Sequence, residues 1–270
     1  MAVLLKLRFS FYTFAVRNQE MNTILWLPRV IYKLYFLILF ATYLILAYPF
    51  FHWATAKEAR FPIAFRRLNN WSRFVTFFSG IYVQRKGVKN LPKNQPYVLC
   101  TNHSSYLDIT LIYRVLDDYF VMMGKGEIRT WPLFNRFFTT GMNILVDRES
   151  RLGSHRALEE AKVALDKGHN VVVFPEGGIP DFIAPKMRGF KNGAFKMAIE
   201  KQVPIVPMTY QTNWKLLEGD KVFTGRAGPG VCRVIIHEPI ETKGLTQDDV
   251  HELRAQTRAI IAGPLKQYYA

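Results

Sequence analysis

The 270-residue chain is 49% hydrophobic, enough to bury a large core, which excludes a disordered chain. Its formal net charge of +15 favours an anionic partner, but no zinc-finger spacing, RNA-binding aromatic signature or basic recognition helix accompanies it, so nucleic acid is not the expected one. Cys100 and Cys232 form neither a CxxC pair nor a framework of small loops, so they give no argument for an oxidising compartment.

Residues 1–20 are basic and apolar without a small-residue cleavage site, so no signal peptide is read there, and Met21 is an alternative start. Residues 1–73 hold ten Lys and Arg against Glu20 and Glu58, which is +8 of the +15. Within them, Leu34–Ala56 runs for 23 residues without a charge, taking His52 as neutral. A helix of about 20 residues crosses a bilayer core. Length and flanking charge therefore favour membrane contact over a buried core helix. Tyr48 and Trp53 suit an interface, and Pro49 is expected to kink or end the helix. Arg29 and Lys33 precede the apolar run, and Lys57, Arg60, Arg66 and Arg67 follow it. With both flanks basic, a crossing and a helix lying in one leaflet fit equally. Residues 61–80 repeat apolar side chains at helical spacing (Phe65, Leu68, Trp71, Phe74, Val75, Phe78) and form the expected amphipathic partner. Residues 1–75 are thus expected to associate with membrane and 76–270 to form a separate domain.

From Ile81 onward short apolar runs alternate with helical patterns. The expected strands are Ile81–Lys86, Tyr97–Thr101, Tyr119–Met123, Ile144–Asp147, Asn170–Phe174, Ile205–Thr209 and Val231–Ile236. The expected helices are Asp108–Leu116, Leu133–Thr140, Gly153–Lys167 and Ala194–Lys201. A last helix, from Thr246 to about Ala262, opens on a Thr-Gln-Asp-Asp capping box and stops at Gly263-Pro264. This alternation predicts an α/β fold, a mainly parallel central sheet flanked by helices.

Two blocks carry chemistry. The first is Asn102-His103-Ser104-Ser105-Tyr106-Leu107-Asp108. A histidine and a carboxylate can act as a general base and the group that orients it. On a regular helix residues turn about 100° each, so positions five apart point about 140° apart and cannot meet. They can meet if His103 sits in the turn before the helix and Asp108 in its first turn. Ser105 and Asp108 read as a capping box there, so two readings stand for Asp108: helix cap, or partner of His103. The second block is Val171-Val172-Val173-Phe174-Pro175-Glu176-Gly177-Gly178, a strand ending in an acid and two glycines. Sites in open parallel sheets lie outside the carboxyl ends of strands, so His103 and Glu176 are expected in one crevice.

His103 with Asp108, and Phe174-Pro175-Glu176-Gly177, resemble the first and third blocks of the glycerolipid acyltransferase family, in its 1-acyl-glycerol-3-phosphate acyltransferase branch. Gly124-Lys125-Gly126-Glu127, followed by Pro132-Leu133-Phe134, Gly141 and Asp147-Arg148, resembles the second block. Val203-Pro204-Ile205-Val206-Pro207 resembles the fourth, and Phe190–Lys196 also fits the pattern. The resemblance covers residues 80–240. It implies a membrane acyltransferase with its catalytic domain on the cytoplasmic side. His103 would be general base on the acceptor hydroxyl and Asp108 would orient it, without a covalent acyl-enzyme. Glu176 and Gly177 would shape the acceptor site, Lys125 and Arg148 would lie in the substrate site with Arg148 contacting an anion, and Pro207 would help form the pocket behind the dyad. No metal or redox cofactor is implied. The partners would be membrane lipids and an acyl-CoA or acyl-carrier-protein co-substrate.

One departure bears on the acceptor. The family continues its Glu-Gly with Thr-Arg, and this chain reads Gly178-Ile179-Pro180-Asp181. A guanidinium fits phosphate bidentately, and neither Gly nor Ile replaces it. Lys186, Arg188 and Lys191 are the nearby cations that can substitute. The expected function is acylation of lysophosphatidic acid. The alternatives are acylation of a lyso-aminolipid, or non-catalytic lipid binding.

Overall fold

In the computed structural model, which describes residues 26–148, 150–180, 186–218 and 225–270, the alternating pattern folds into one seven-stranded sheet. The readings made for residues 1–20 and Met21, and that for Asp181, lie outside the described residues. The strands are β1 (Ile81–Lys86), β2 (Val98–Thr101), β3 (Phe120–Lys125), β4 (Ile144–Val146), β5 (Asn170–Val173), β6 (Ile205–Tyr210) and β7 (Gly230–Ile236). Their spatial order is β1-β7-β6-β2-β5-β3-β4, with every neighbouring pair parallel except β6 and β7. All seven expected strands are present, with ends shifted by at most two residues.

The helices are α1 (Trp26–Leu46), α2 (Tyr48–Ala54), α3 (Phe61–Phe78), α4 (Leu107–Val115), α5 (Arg136–Thr139), α6 (Arg151–Asp166), α7 (Gly193–Lys201), α8 (Asn213–Leu216) and α9 (Val250–Tyr269). Strand side chains alternate between two apolar layers, as the period of two demands. Leu99, Phe120, Met122, Val172 and Val206 face a cluster that includes α1, α3 and α4. Val98, Cys100, Val121, Val171 and Ile205 face a second cluster with α6, α7 and α9. Burying one such side chain fully contributes roughly 1.5–3 kcal/mol.

Three boundaries differ from expectation. The long apolar helix is Trp26–Leu46, not Leu34–Ala56, so it takes in Arg29 and Lys33; Pro49 occupies the start of a separate helix, where its missing N–H costs nothing. Helix α5 is one turn instead of Leu133–Thr140, because Leu133 adopts φ of 65° directly after Pro132. Helix α9 does not stop at Gly263-Pro264. It runs to Tyr269, held by fully buried Leu265 and by a 2.6 Å bond from Trp214 Nε1 to the Tyr269 hydroxyl. Tertiary packing here overrides a local stop signal. The Thr246–Asp249 capping box is present as expected.

Helix α1 has a mean hydropathy of 1.7 and is the one described helix long and apolar enough to cross a membrane. Its outer face exposes Leu27, Ile31, Leu34, Leu37 and Ile38. Its inner face meets α3 running the opposite way: Tyr32 Oη donates to the Ser79 carbonyl at 2.8 Å, and Trp71 Nε1 donates to the Phe40 carbonyl at 3.1 Å. Phe77 and Phe78 extend the exposed apolar surface at the end of α3.

Candidate active site

Strands β2 and β5 are parallel neighbours, so the turns that follow them emerge side by side. His103 lies two residues beyond the end of β2 and Glu176 three beyond the end of β5. The two join directly: the His103 backbone N–H donates to Glu176 Oε1 at 2.8 Å. Glu176 Oε2 accepts the Arg188 backbone N–H, also at 2.8 Å, so one carboxylate ties both strand ends to the segment that follows. Burial pushes the Glu176 carboxyl above the usual range, and these two N–H bonds act against the shift.

Both readings of Asp108 describe a single carboxylate. Its Oδ2 accepts the backbone N–H groups of Ser104 at 2.7 Å and Ser105 at 2.9 Å, and stands 2.8 Å from His103 Nδ1. Only half of the capping box forms. Ser105 Oγ accepts from the Leu107 N–H at 3.0 Å rather than from Asp108, and donates to the Leu217 carbonyl. With Nδ1 committed to Asp108, Nε2 is the ring nitrogen left for a substrate. The Phe174 ring packs on the imidazole, with centroids 4.3 Å apart.

Asp108 is fully buried, and a buried charge is tolerated only where its oxygens find donors. Its other oxygen, Oδ1, accepts Asn213 Nδ2 at 2.6 Å, and Asn213 Oδ1 in turn accepts the Cys232 thiol at 3.0 Å. Burial pushes the Cys232 thiol well up, with Asp108 adding to the shift, so it stays a protonated donor. Asn102 locks β2 to β6 beside this chain: Oδ1 accepts the Tyr210 N–H at 2.8 Å and Nδ2 donates to the Tyr210 carbonyl at 3.0 Å. Asn213 and Cys232 carry no local motif and were not picked out from the sequence. The strand-end rule applied to β6 finds Asn213, which lies three residues past Tyr210; no sequence signal marks Cys232.

A cavity of about 270 Å³ opens beside His103. One wall is apolar, with Ile109, Met122, Ile128 and Trp131, and the other carries Lys125, Arg148 and Arg188. Gly178 separates the two guanidiniums. A Cβ there would stand 3.7 Å from Nη1 of both Arg148 and Arg188, so both guanidiniums lie against this glycine. Burial lowers the Arg148 pKa and the nearby Glu127 carboxylate opposes this; a guanidinium stays charged regardless. Lys125 pairs with Glu127 at the rim. Gly177 adopts φ of 78°, and a Cβ there would come within 2.9 Å of Lys191 Cε. Pro207 lies elsewhere: it is buried within β6, opposite Cys100, and does not line the cavity. Lys186 also faces away, into a groove against α9.

Among the described residues the cavity lining includes no serine or cysteine, and Cys100 is fully buried with its thiol pushed well up. Among the described residues no three His, Cys, Asp or Glu side chains group as metal ligands do. The constellation can accept a proton from an alcohol and hold an anion beside it.

Residues 82–211 match the sequence profile of the family described as Acyltransferase. The chain is 34% identical over 186 residues to 1-acyl-sn-glycerol-3-phosphate acyltransferase alpha of Mus musculus, covering 67% of this chain and 63% of that protein. It is 29% identical over 189 residues to 1-acyl-sn-glycerol-3-phosphate acyltransferase of Saccharomyces cerevisiae, covering 70% and 61%. It therefore spans somewhat less than two thirds of these relatives. The crystal structure of the acyltransferase PlsC from Thermotoga maritima superposes with a TM-score of 0.75 at 23% identity, over 90% of this chain and 97% of that one, a likeness of fold. By profile, relatives and fold together, the chain belongs to the PlsC-like glycerolipid acyltransferase family.

Proposed function

We propose that this chain transfers a fatty acyl group from a thioester donor to the free hydroxyl of 1-acyl-glycerol-3-phosphate, giving phosphatidic acid and a free thiol. The carrying observation is the His103–Asp108 pair at 2.8 Å opening on a cavity that two guanidiniums flank. His103 Nε2 takes the hydroxyl proton as the oxygen attacks the thioester carbonyl. The tetrahedral intermediate collapses by breaking the C–S bond, and the imidazolium returns the proton to the leaving thiolate. Asp108 fixes the ring and balances its charge. With no serine or cysteine in the lining, transfer is direct.

Arg148 and Arg188 take the acceptor phosphate, replacing the arginine absent after Gly177; Lys125, paired with Glu127, lies at the rim. This arrangement favours a phosphate-bearing acceptor over a lyso-aminolipid. The acyl chain runs along the apolar wall. Met122 and Ile128 of that wall share a cluster with Phe36 of α1 and Phe61, Phe65 and Trp71 of α3. Residues 1–75 hold the enzyme on the bilayer, where acceptor and product both reside, and residues 76–270 form the catalytic unit. No cofactor beyond the thioester is required.

The test is an acceptor panel with purified protein in detergent, with His103→Ala as control. Phosphatidic acid from lysophosphatidic acid, lost in the variant, is expected. Product only from lyso-aminolipids would overturn the acceptor assignment. Activity equal in His103→Ala would sink the mechanism.

A further inference from the structure

A second concave surface lies behind the segment that closes the active site. It is a groove of about 930 Å³ between residues 186–190 and α9. Four cations line it, Lys186, Arg254, Arg258 and Lys266, with no carboxylate among the lining residues. None of the four pairs with a carboxylate among the described residues. Its apolar lining comes from Phe190, largely buried, and the small side chains Ala255 and Ala259, both exposed.

Topology brings this groove to the catalytic end of the sheet. Strand β7 runs antiparallel to β6, so α9 starts at the far end and returns. Thr209 Oγ1 donates to the Ile261 carbonyl at 3.1 Å, and Gln211 Nε2 to the Pro264 carbonyl at 3.1 Å, placing residues 258–266 beside the end of β6. The separating wall is thin. Arg258 Nη2 donates to the Met187 carbonyl at 3.1 Å, while the next residue, Arg188, lines the catalytic cavity. The groove also lies on the sheet face of α6, α7 and α9, opposite the face that carries α1 and α3.

We propose that this groove binds the phosphorylated, water-soluble half of the acyl donor, a nucleotide bearing phosphate ester and pyrophosphate groups. Clustered Arg and Lys match phosphates. The apolar lining suits the face of a purine, and the concave shape suits a small molecule more than a folded carrier. Its position away from the apolar helices favours a ligand arriving from water over a lipid headgroup. The acceptor and donor phosphates then have separate cations on the two sides of residues 186–190, and the thioester reaches His103 across that segment. The inference rests on the thioester-dependent transfer proposed above.

The experiment uses the full chain in detergent and adenosine 3′,5′-bisphosphate as probe, followed by calorimetry. Lys186→Glu/Lys266→Glu should weaken binding by about tenfold or more, and Lys186→Arg/Lys266→Arg should retain it. In assays the charge reversal should raise KM for acyl-CoA and leave KM for the acceptor unchanged. No probe binding, equal binding by wild type and the reversed variant, or turnover with an acyl carrier protein but not acyl-CoA would overturn the site. So would equal rises in both KM values, the mark of lost lipid-surface attraction. Probe binding that the reversal abolishes, in a protein that forms no phosphatidic acid, would leave the site standing and refute the proposed function instead.

Discussion

The two halves of the candidate site are built differently. Around Asp108 every oxygen is spoken for: three donors reach Oδ2 and one reaches Oδ1, at 2.6–2.9 Å, in a fully buried position. Around Gly178 the guanidiniums of Arg148 and Arg188 line the cavity. The first half is preorganised, as the general base proposed for His103 would require. The second is where the proposal places the acceptor phosphate. The two halves meet at Glu176, which bonds the His103 N–H with one oxygen and the Arg188 N–H with the other.

Breaking the rigid half should have the largest effect. Asp108→Asn supplies one acceptor oxygen where two are used, and turns an NH2 toward either Asn213 or the His103 loop. A loss of kcat of about 10³-fold is expected, with a lower Tm, read by steady-state kinetics and thermal unfolding. Asn213→Ala strips one donor from Asp108 without touching substrate. Here kcat should fall about tenfold to a hundredfold with KM for the acceptor unchanged, a split that a general folding defect would not give.

Glu176→Gln sharpens the comparison at the joint, because an amide NH2 would face one of the two N–H donors. A buried group left unmatched costs about 1–3 kcal/mol, and both kcat and acceptor KM should suffer. Stability should also lose part of its pH dependence. The folded carboxyl holds its proton to higher pH than the unfolded chain, so in wild type its contribution is full at acid pH. That contribution is lost as pH rises from the ordinary Glu value through the raised one; the Gln variant lacks this slope, measurable by unfolding at graded pH.

The second half should respond more mildly. Arg148→Ala is expected to raise KM for lysophosphatidic acid about tenfold with kcat nearly intact, measured against a lyso-aminolipid that should show no change. Smallest is Gly177→Ala, where φ of 78° and the approach to Lys191 together cost about 1 kcal/mol in stability.

The sheet was legible because its strands are continuous apolar runs closed by turn residues, and the crevice because His103 and Glu176 each sit past a strand end. What escaped was set by long-range packing. Asn213 and Cys232 lie 105 and 124 positions from Asp108 in sequence; in space Asn213 donates to Asp108, and Cys232 donates to Asn213.

 Neither residue belongs to a local pattern, because the buried position of Asp108 that makes them necessary exists only once β6 and β7 have joined the sheet. The length of α9 escaped for the same reason. A Gly-Pro stop was outweighed by the burial of Leu265 and the Trp214–Tyr269 bond. Pro207 was expected at the pocket because Val203–Pro207 resembles the family's fourth block, while its place within β6, opposite Cys100, keeps it out of the cavity lining.

The return of α9 has a practical consequence. The Tyr269 hydroxyl accepts from Trp214 and donates to the Gln211 carbonyl at 2.5 Å, so it clasps the short helix that presents Asn213 to Asp108. Residues far from the catalytic loop in sequence are thereby part of its frame. Trimming α9 at its last turn, or fusing an affinity tag against Tyr269, would loosen the Asp108 carboxylate without altering any residue of the cavity lining, and a weakly active preparation would owe its weakness to its handle rather than to its chemistry.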